Sequence, residues 1–528
     1  MLTALVIMPI LVAVFLYLFP FEKIGRVISI IIQLGIAVAS IYLFVETRTY
    51  EMVAVIGGYG TLGITLRADS LASVFILMTA FIFLMTAIYS YSNDKSKLFW
   101  FLFFIWEASL IGVFLSGDIF NIFVLTEVGT VVVSVLIMYN RKERSMYDGL
   151  VYLMINVVII QFYLLGLGYI YRMTGALNLT SIAIAFDAIP VADQVLPYAF
   201  IMTFVALKCA VFPVFSWLPK AHGTPGASAA VSAVLSGLHI KSGLYLFLRF
   251  QDVFSMIDTS MLFLIVGIFT AFVGVIMSIA QTDIKLILAY STIAQVGLII
   301  AGFSIDNVYN FTGALYHIVT HGVFKTALFM GAGLIMHFYG TRDITKIKGV
   351  LKVMPITCGA MIFAILGIIG APFFGGSVSK YFLMHDIGWV LMVALLLINL
   401  GTIIIFIKFS RMFFGNYGGE NKFYNIWGQQ VPIMILGLLS LALGIWGETF
   451  IYIMFGDNIV VSFGSYIEKA GYFVVSLIAG ILIVTFHMKK EKNTFSQIKY
   501  FELGFRGMVA AIGMLFALII VFILWRLR

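Results

Sequence analysis

Long runs of apolar residues follow one another along the whole chain, separated by short polar segments. A helix needs about 20 predominantly apolar residues to cross the hydrocarbon core of a membrane. The hydrophobic pattern therefore predicts sixteen membrane-spanning helices. The predicted spans are 2–19, 26–45, 70–91, 98–115, 118–139, 147–171, 198–222, 226–250, 260–281, 285–303, 308–337, 354–386, 388–414, 431–455, 471–487 and 507–527.

The composition agrees with this pattern. Hydrophobic residues make up 62% of the 528 residues, and charged residues only 11%. A soluble protein of this size needs far more polar surface, so the predicted class is an all-α polytopic membrane protein surrounded by lipid. The first span has no basic segment before it and no small-residue cleavage site, so we interpret it as a retained helix.

The positive charges predict the orientation. If the N-terminus is external, the cytoplasmic loops contain twenty lysines and arginines, and the external loops and ends contain seven. The positive-inside rule predicts such a bias. The net charge of +8 then follows mainly from the loops, and nucleic acid is not expected as a partner.

Two predicted spans are interrupted at corresponding places. The span 198–222 contains Pro213, and the span 354–386 contains Pro372 between glycines. Proline removes a helical donor and glycine unwinds readily, so both spans should be discontinuous helices. Glycine and proline are common in membrane helices, but here a lysine adjoins each break. Two interrupted spans at corresponding places indicate inverted repeats, with a transport site beside the breaks. The predicted repeats are 98–250 and 260–414.

Several charged side chains lie inside predicted spans, where each costs about 2.5–3.5 kcal/mol at the bilayer centre. They are Lys208, Lys241, Lys325, Lys380, Lys408, Glu107 and Glu127. A series of buried ammonium groups with acidic partners predicts a path for charge through the membrane. Lys408 is close to the end of its span and could instead snorkel to the membrane surface, which favours a structural role.

Glu127 and Lys208 are predicted at similar depths near the middle of the bilayer. Burial favours a neutral carboxylic acid, whereas a nearby lysine favours the carboxylate. A pair whose separation can change would therefore bind and release a proton. The alternative is a static structural ion pair.

Lys241 is in the middle of its span, two residues from His239. Burial disfavours the charged ammonium, so such a lysine can release and regain a proton near neutral pH. His239 is off the face of Lys241. It is equally consistent with a relay member and with a satisfied core histidine.

His317, His321 and Lys325 are spaced by four residues and share one helix face. Three titratable groups on one buried stripe resemble a proton wire, because histidine changes charge near neutral pH. The His-x-x-x-His spacing also fits zinc, but a third ligand and an intervening glutamate are lacking. Lys380 comes just after the second break, whereas Lys208 comes just before the first, so the two lysines have corresponding positions. Glu107 is a further candidate for the charged path.

No cofactor, metal site or catalytic redox site is expected in this chain. The two cysteines, Cys209 and Cys358, fall in separate spans, and there is no CxxC, Gly-rich phosphate loop or haem-type ligand pair. At the starts of their spans, Asp69 and Asp118 are interpreted as helix caps.

With these residues in view, the chain resembles the antiporter-like subunits shared by complex I, membrane-bound hydrogenases and Mrp-type Na⁺/H⁺ antiporters, and is most similar to the D-type subunit of Mrp antiporters. The similar motifs are Ser116-Gly117-Asp118-Ile119-Phe120-Asn121-Ile122-Phe123 with Glu127, Lys208 to Pro213 with Trp217 to His222, Leu235-Ser236-Gly237 with Lys241, His317-x-x-x-His321-x-x-x-Lys325, and Gly376-Ser377-Val378-Ser379-Lys380. The resemblance covers about residues 60–455.

The resemblance implies a 14-helix core of two inverted five-helix repeats in a multi-pass protein of a prokaryotic plasma membrane. It implies that Glu127 and Lys208 form the switching pair, that Lys241, His321 and Lys325 form the central relay, and that Lys380 is the exit. The predicted divisions are 1–97 for the N-terminal helices, 98–250, 260–414, 415–470 for the last core helix, and a two-helix extension at 471–528. The extension departs from the family pattern and includes a basic, partly amphipathic segment at 489–506.

The leading interpretation is a proton-translocating subunit, with exchange for Na⁺ left open, in a complex with other membrane subunits. One alternative is an ion-pumping subunit of a ferredoxin-linked hydrogenase or a related respiratory complex, in which case the chain would be part of an oxidoreductase. Another is a membrane scaffold that transports nothing. A stand-alone transporter of an organic solute fits least, because no substrate pocket is evident.

Overall fold

A computed structural model shows that the chain is almost entirely helical. It describes residues 1–18, 22–58, 63–92, 95–418, 424–486 and 498–528. The helices are Leu2–Leu18 (α1), Glu22–Glu46 (α2), Ser70–Tyr91 (α3), Lys97–Leu115 (α4), Ile119–Ile137 (α5), Glu143–Thr174 (α6), Leu179–Phe186 (α7), Val191–Lys208 (α8), Trp217–Gly223 (α9), Ala229–Val234 (α10), Ile240–Val253 (α11), Ser260–Ala280 (α12), Ile284–Phe303 (α13), Val308–Tyr339 (α14), Val350–Val353 (α15), Pro355–Ile369 (α16), Gly375–Leu383 (α17), Trp389–Ser410 (α18), Trp427–Ile445 (α19), Gly447–Phe455 (α20), Phe463–Phe486 (α21) and Phe505–Arg526 (α22). A π-helical turn at Leu235–His239 joins α10 to α11, and short 3₁₀ turns occupy Arg411–Phe413 and Ile498–Tyr500.

The prediction of a polytopic helical membrane protein is confirmed. Fourteen helices within the described ranges are long and apolar enough to cross a membrane, and α1 and α16 are shorter apolar helices. Each of the sixteen predicted spans corresponds to one helix or to a broken helix. The two predicted discontinuities are present. The span 198–222 is broken between α8 and α9, and the span 354–386 is broken between α16 and α17.

A small hairpin precedes the buried helices. Strands Met52–Ile56 (β1) and Ile64–Ala68 (β2) pair antiparallel, with Met52 opposite Ala68. This segment is therefore a two-stranded hairpin. Asp69 follows it and accepts a hydrogen bond from the N–H of Ala72 at 2.8 Å.

Asp118 plays the same capping part for α5, where its side chain accepts from the N–H of Asn121 at 2.7 Å. Both aspartates therefore satisfy free helical N–H groups, as the sequence predicts.

The chain divides into two compact units. The first comprises residues 1–227, 238–262 and 503–528, and the second comprises residues 228–237 and 263–502. The two helices of the C-terminal extension belong to different units, since α22 packs on α6 and α8 in the first and α21 packs on α18 in the second. The predicted repeat boundaries stay predictions. Residues 489–497 of the basic segment at 489–506 lie outside the described residues.

Candidate ion-translocation site

The first break ends α8 at Lys208. The next turn is unwound, with Ala210 at a φ of 53°, and Pro213 lacks the N–H that would continue a helix. The indole of Trp217 at the start of α9 donates to the carbonyl of Leu207 at 2.8 Å, and the same carbonyl accepts from the N–H of Ala210 at 2.9 Å. Lys208 is thus fixed at the C-terminal end of a helix, where a positive charge is favoured by the helix dipole.

The ammonium of Lys208 is bound by neutral oxygen atoms. It donates to the hydroxyl of Thr130 at 2.9 Å and to the amide oxygen of Asn156 at 2.6 Å. The amide nitrogen of Asn156 donates to the carbonyl of Tyr152 at 2.9 Å, so the amide is oriented with its oxygen toward the lysine.

Glu127 lies on α5 one helical turn before Thr130, the residue whose hydroxyl binds Lys208. No ion pair joins these two side chains, and Oε1 of Glu127 has no hydrogen-bond partner among the residues described. The structure therefore brings the predicted pair together without direct contact.

His239 is next to this cluster. Its Nδ1 accepts from the indole of Trp106 at 3.2 Å, and its Nε2 lies 3.5 Å from the hydroxyl of Tyr152. An indole can only donate, so a neutral His239 has its proton on Nε2, facing Tyr152. Tyr152 therefore contacts His239 through its hydroxyl, and it contacts Asn156, which binds Lys208, through its backbone carbonyl.

The other two candidates of the first unit are fully buried. Glu107 accepts a hydrogen bond from the amide of Gln33 on α2 at 2.5 Å. Lys241, the second residue of α11, has no exposed surface. Neither is part of the hydrogen bonds described above for Lys208.

The second break requires glycine. Gly370 has a φ of 78°, which is favourable only without a side chain. A Cβ atom on Gly376 would overlap the carbonyl oxygen of Gly367, so the start of α17 lies directly against the end of α16. This close contact places Lys380 beside the unwound turn. Its ammonium donates to the carbonyl of Ile368 and to the amide oxygen of Asn399, each at 2.7 Å.

The histidine-lysine stripe of α14 faces polar side chains of α13. Lys325 donates to the carbonyl of Leu288 at 2.9 Å and to the hydroxyl of Ser291. Four residues further along α13, the amide oxygen of Gln295 lies 2.9 Å from Nε2 of His317. Each end of the stripe is thus bound to the same neighbouring helix.

His317 connects α13 to the second broken helix. Its Nδ1 lies 2.8 Å from the hydroxyl of Ser379, the residue before Lys380. Two sets of contacts therefore lie along α13 within the second unit: Lys325 binds Ser291, and one turn further His317 joins Gln295 to Ser379. His321 lies between the two ends of the stripe, with its ring centroid 6.2 Å from that of His317.

Lys408 is not at the surface, contrary to the snorkelling expectation. It is buried, and its ammonium donates to the carbonyl of Ile279 at 2.7 Å and to that of Gln281. These carbonyls are at the C-terminal end of α12, so the lysine caps a neighbouring helix. The structural role expected of Lys408 agrees with this contact.

The uncharged partners of the lysines, of His239 and of His317 were not predicted from the sequence. These are Thr130, Tyr152, Asn156, Ser291, Gln295, Ser379 and Asn399. A signal existed for the amides, because an Asn or Gln inside an apolar span is costly unless it is paired. No group of three or more His, Cys, Asp or Glu side chains within the described ranges is arranged to hold a metal ion.

Buried lysines beside two broken helices, together with a stripe of histidines, define an antiporter-like membrane subunit. Residues 116–407 match the family described as "NADH:quinone oxidoreductase/Mrp antiporter, TM". The match includes more than half of the chain, and the chain belongs to this family.

Relatives include both antiporter and respiratory subunits. The chain is 29% identical to the D-type subunit of the Na(+)/H(+) antiporter of Alkalihalophilus pseudofirmus, over 84% of this chain and 93% of the relative. It is 34% identical to the N-type subunit of the NADH-quinone oxidoreductase of Desulforudis audaxviator, over 66% of this chain and 72% of the relative.

Two solved structures have the same fold. One is the membrane-bound sulfane sulfur reductase, an archaeal respiratory membrane complex, with a TM-score of 0.78, 22% identity, and coverage of 91% of this chain and 99% of that one. The other is the Mrp complex from Dietzia sp. DQ12-45-1b, with a TM-score of 0.77, 20% identity, and coverage of 90% and 99%. The chain is therefore an antiporter-like subunit of the kind found in multisubunit membrane complexes, consistent with a prokaryotic plasma membrane.

Proposed function

We propose that this chain translocates protons within a multisubunit membrane complex, using Glu127, Lys208, Lys241, His317, His321, Lys325 and Lys380. The observation that supports this most is the two sets of side-chain contacts along α13 in the second unit. Lys325 is at hydrogen-bonding distance from Ser291, and His317 is at hydrogen-bonding distance from Gln295 and Ser379, inside a buried helical core. A scaffold would have little use for such costly polar groups within the membrane.

In the first unit, Glu127 and Lys208 act as a switch. A proton on Glu127 neutralises the carboxylate and weakens its attraction for Lys208, whereas loss of that proton strengthens it. Lys208 has neutral oxygen ligands at Thr130 and Asn156, so its ammonium can shift toward or away from the carboxylate without losing every hydrogen bond. The proton affinity of the pair then depends on their separation.

In the second unit, Lys325 and Lys380 are the two ends of the relay. His317 holds a proton on Nε2 facing Gln295 and accepts at Nδ1 from Ser379, so it can receive a proton on one ring nitrogen and release it from the other. His321, one turn away on the same face, adds a second titratable ring. Lys241 belongs to the relay in the first unit.

The test is proton transport by the assembled complex in reconstituted vesicles. Glu127→Gln and Lys325→Met should each abolish coupled transport, because each removes a titratable group while keeping the side chain's approximate volume. Lys408→Met is the matched control, since Lys408 caps a helix outside the relay; the amount of assembled complex shows whether it still folds. Unchanged ion flux in both Glu127→Gln and Lys325→Met would contradict the proposal and favour a scaffold.

Two assemblies fit this function. In one, the complex is a Mrp-type antiporter in which the cation gradient drives exchange of protons for Na⁺; in the other, redox chemistry in partner subunits drives pumping. Relatives of both kinds support the two options equally. Purification of the complex distinguishes them, because iron–sulfur partner subunits are expected only in the second.

A further inference from the structure

The C-terminal helix α21 contacts the short helix that contains Lys380. The hydroxyl of Tyr466 accepts a hydrogen bond from the N–H of Phe373 at 2.9 Å and lies 3.1 Å from the hydroxyl of Ser377. Phe373 is in the unwound turn, and Ser377 is in the first turn of α17. Tyr466 is therefore bound to the unwound turn and to the N-terminal end of α17.

One turn further along α21, Lys469 binds the other end of α17. Its ammonium donates to the carbonyls of Tyr381 at 2.7 Å and Met384 at 3.1 Å. Because α17 ends at Leu383, no following helical turn donates backbone N–H groups to these carbonyls. The C-terminal end of a helix also attracts positive charge. Two side chains of α21, three residues apart, thus hold both ends of the segment that contains Lys380.

Between α17, α18 and α21 is a cavity of about 50 Å³. Ser377, Lys380, Asn399, Tyr466 and Lys469 contribute polar groups to its lining. A cavity needs only about 10–15 Å³ to hold one water molecule, provided that the water has polar partners. This cavity has room for more than one, and its lining offers hydroxyl, amide and ammonium groups.

We propose that α21 lines a water-filled outlet at Lys380, and that Tyr466 and Lys469 are positioning residues that keep Lys380 facing this outlet. The inference rests on the proposed function, because an outlet has meaning only if Lys380 exchanges protons. It gives a role to the part of the chain that departs from the family's 14-helix pattern. Water in the cavity would accept a proton from the ammonium of Lys380 or return one to it.

Hydration is tested by the reactivity of single cysteines in the assembled complex, in a background with Cys209→Ala and Cys358→Ala. Three consecutive positions of α18 form a matched set: Leu396 lines the cavity, Leu395 is buried, and Leu397 is half exposed on the outer surface of the helix. A small, permanently charged methanethiosulfonate is applied to opened membranes, so that it reaches both faces. It requires water and an ionised thiol.

Leu396→Cys should react at least about tenfold faster than Leu395→Cys and Leu397→Cys. A reaction of Leu396→Cys as slow as that of Leu395→Cys would overturn the outlet. This result does not depend on transport, so it separates the outlet from the proposed function. If the cysteine reacts as expected while Glu127→Gln and Lys325→Met transport normally, only the proposed function fails.

Positioning is tested by transport. Lys469→Met and Tyr466→Phe should each lower the proton transport rate severalfold while the complex still assembles, and Lys469→Arg should restore most of the rate, because arginine also donates to carbonyls. Lys352→Met is the control, since Lys352 is an exposed lysine bound to Asn416. Wild-type rates in both Tyr466→Phe and Lys469→Met, or no rescue by Lys469→Arg, would contradict the positioning role. Tyr466→Phe removes a single hydroxyl and remains informative if Lys469→Met does not assemble.

Discussion

At the scale of single residues, the two lysines beside the breaks, Lys208 and Lys380, are bound by neutral oxygen atoms. Lys208 has a threonine and an asparagine, and Lys380 has a backbone carbonyl and an asparagine. A hydrogen bond to a charged group is worth about 1.5–3 kcal/mol, which is enough to hold an ammonium in place but less than a carboxylate at contact distance would supply. Such ligands permit a lysine to move and to change charge.

The asparagine ligand of Lys208 gives the first prediction. Asn156→Leu removes the 2.6 Å hydrogen bond to the ammonium and keeps a side chain of similar size. Proton transport should fall at least about tenfold, because losing about 1.5 kcal/mol or more of stabilisation at one site changes an equilibrium by that factor. The rate in reconstituted vesicles measures it.

A matched control for this substitution exists elsewhere in the chain. Asn416 accepts a hydrogen bond from Lys352 at 2.7 Å, but this pair is exposed. Asn416→Leu should leave transport unchanged. If both leucine variants transport equally well, the amide of Asn156 has no part in the relay.

At the scale of elements, the two breaks depend on close backbone contacts. In the first unit, a Cβ atom on Gly243 of α11 would lie 2.7 Å from the carbonyl carbon of Lys208 and 2.8 Å from the nitrogen of Cys209. In the second, Gly376 lies against the carbonyl of Gly367. Both glycines permit another backbone segment to approach an unwound turn, so the position of each buried lysine depends on a residue without a side chain.

The second break gives an element-scale prediction. Gly376→Ala should destabilise the assembled protein by about 1–3 kcal/mol, because the added methyl overlaps a backbone oxygen and backbone moves with difficulty. Gly359→Ala is the control, since a Cβ atom there would meet nothing within 4 Å. Thermal denaturation of the purified protein compares them. Equal stability of the two variants would show that the break can rearrange freely.

The sequence predicted the helices and breaks well, because hydropathy and proline positions determine them locally. It also placed Lys208 and Lys380 beside the breaks. It could not predict that Lys325 binds Ser291 and that His317 contacts Gln295, because both contacts depend on how α14 packs against α13. The carbonyl ligands of Lys408 could not be predicted for the same reason, because they depend on the end of α12 lying beside it.

At the scale of the whole molecule, the orientation in the membrane remains to be measured. The distribution of lysine and arginine predicts an external N-terminus. Thr49 follows α2 and Asn140 follows α5, so they should be on opposite sides. In intact cells, an impermeant thiol reagent should label Thr49→Cys, whereas Asn140→Cys should react only after the membrane is opened. The reverse pattern would invert the topology.

The neutral ligands of Lys208 and Lys380 have a consequence for energetics. Each proton bound to one of these lysines adds a positive charge inside the membrane, and that charge lies in the electric field across the bilayer. A full crossing of one charge is worth about 2.3 kcal/mol per 100 mV. If these lysines exchange protons, their occupancy depends on membrane voltage as well as on proton concentration, so the protein would respond to both components of the electrochemical gradient.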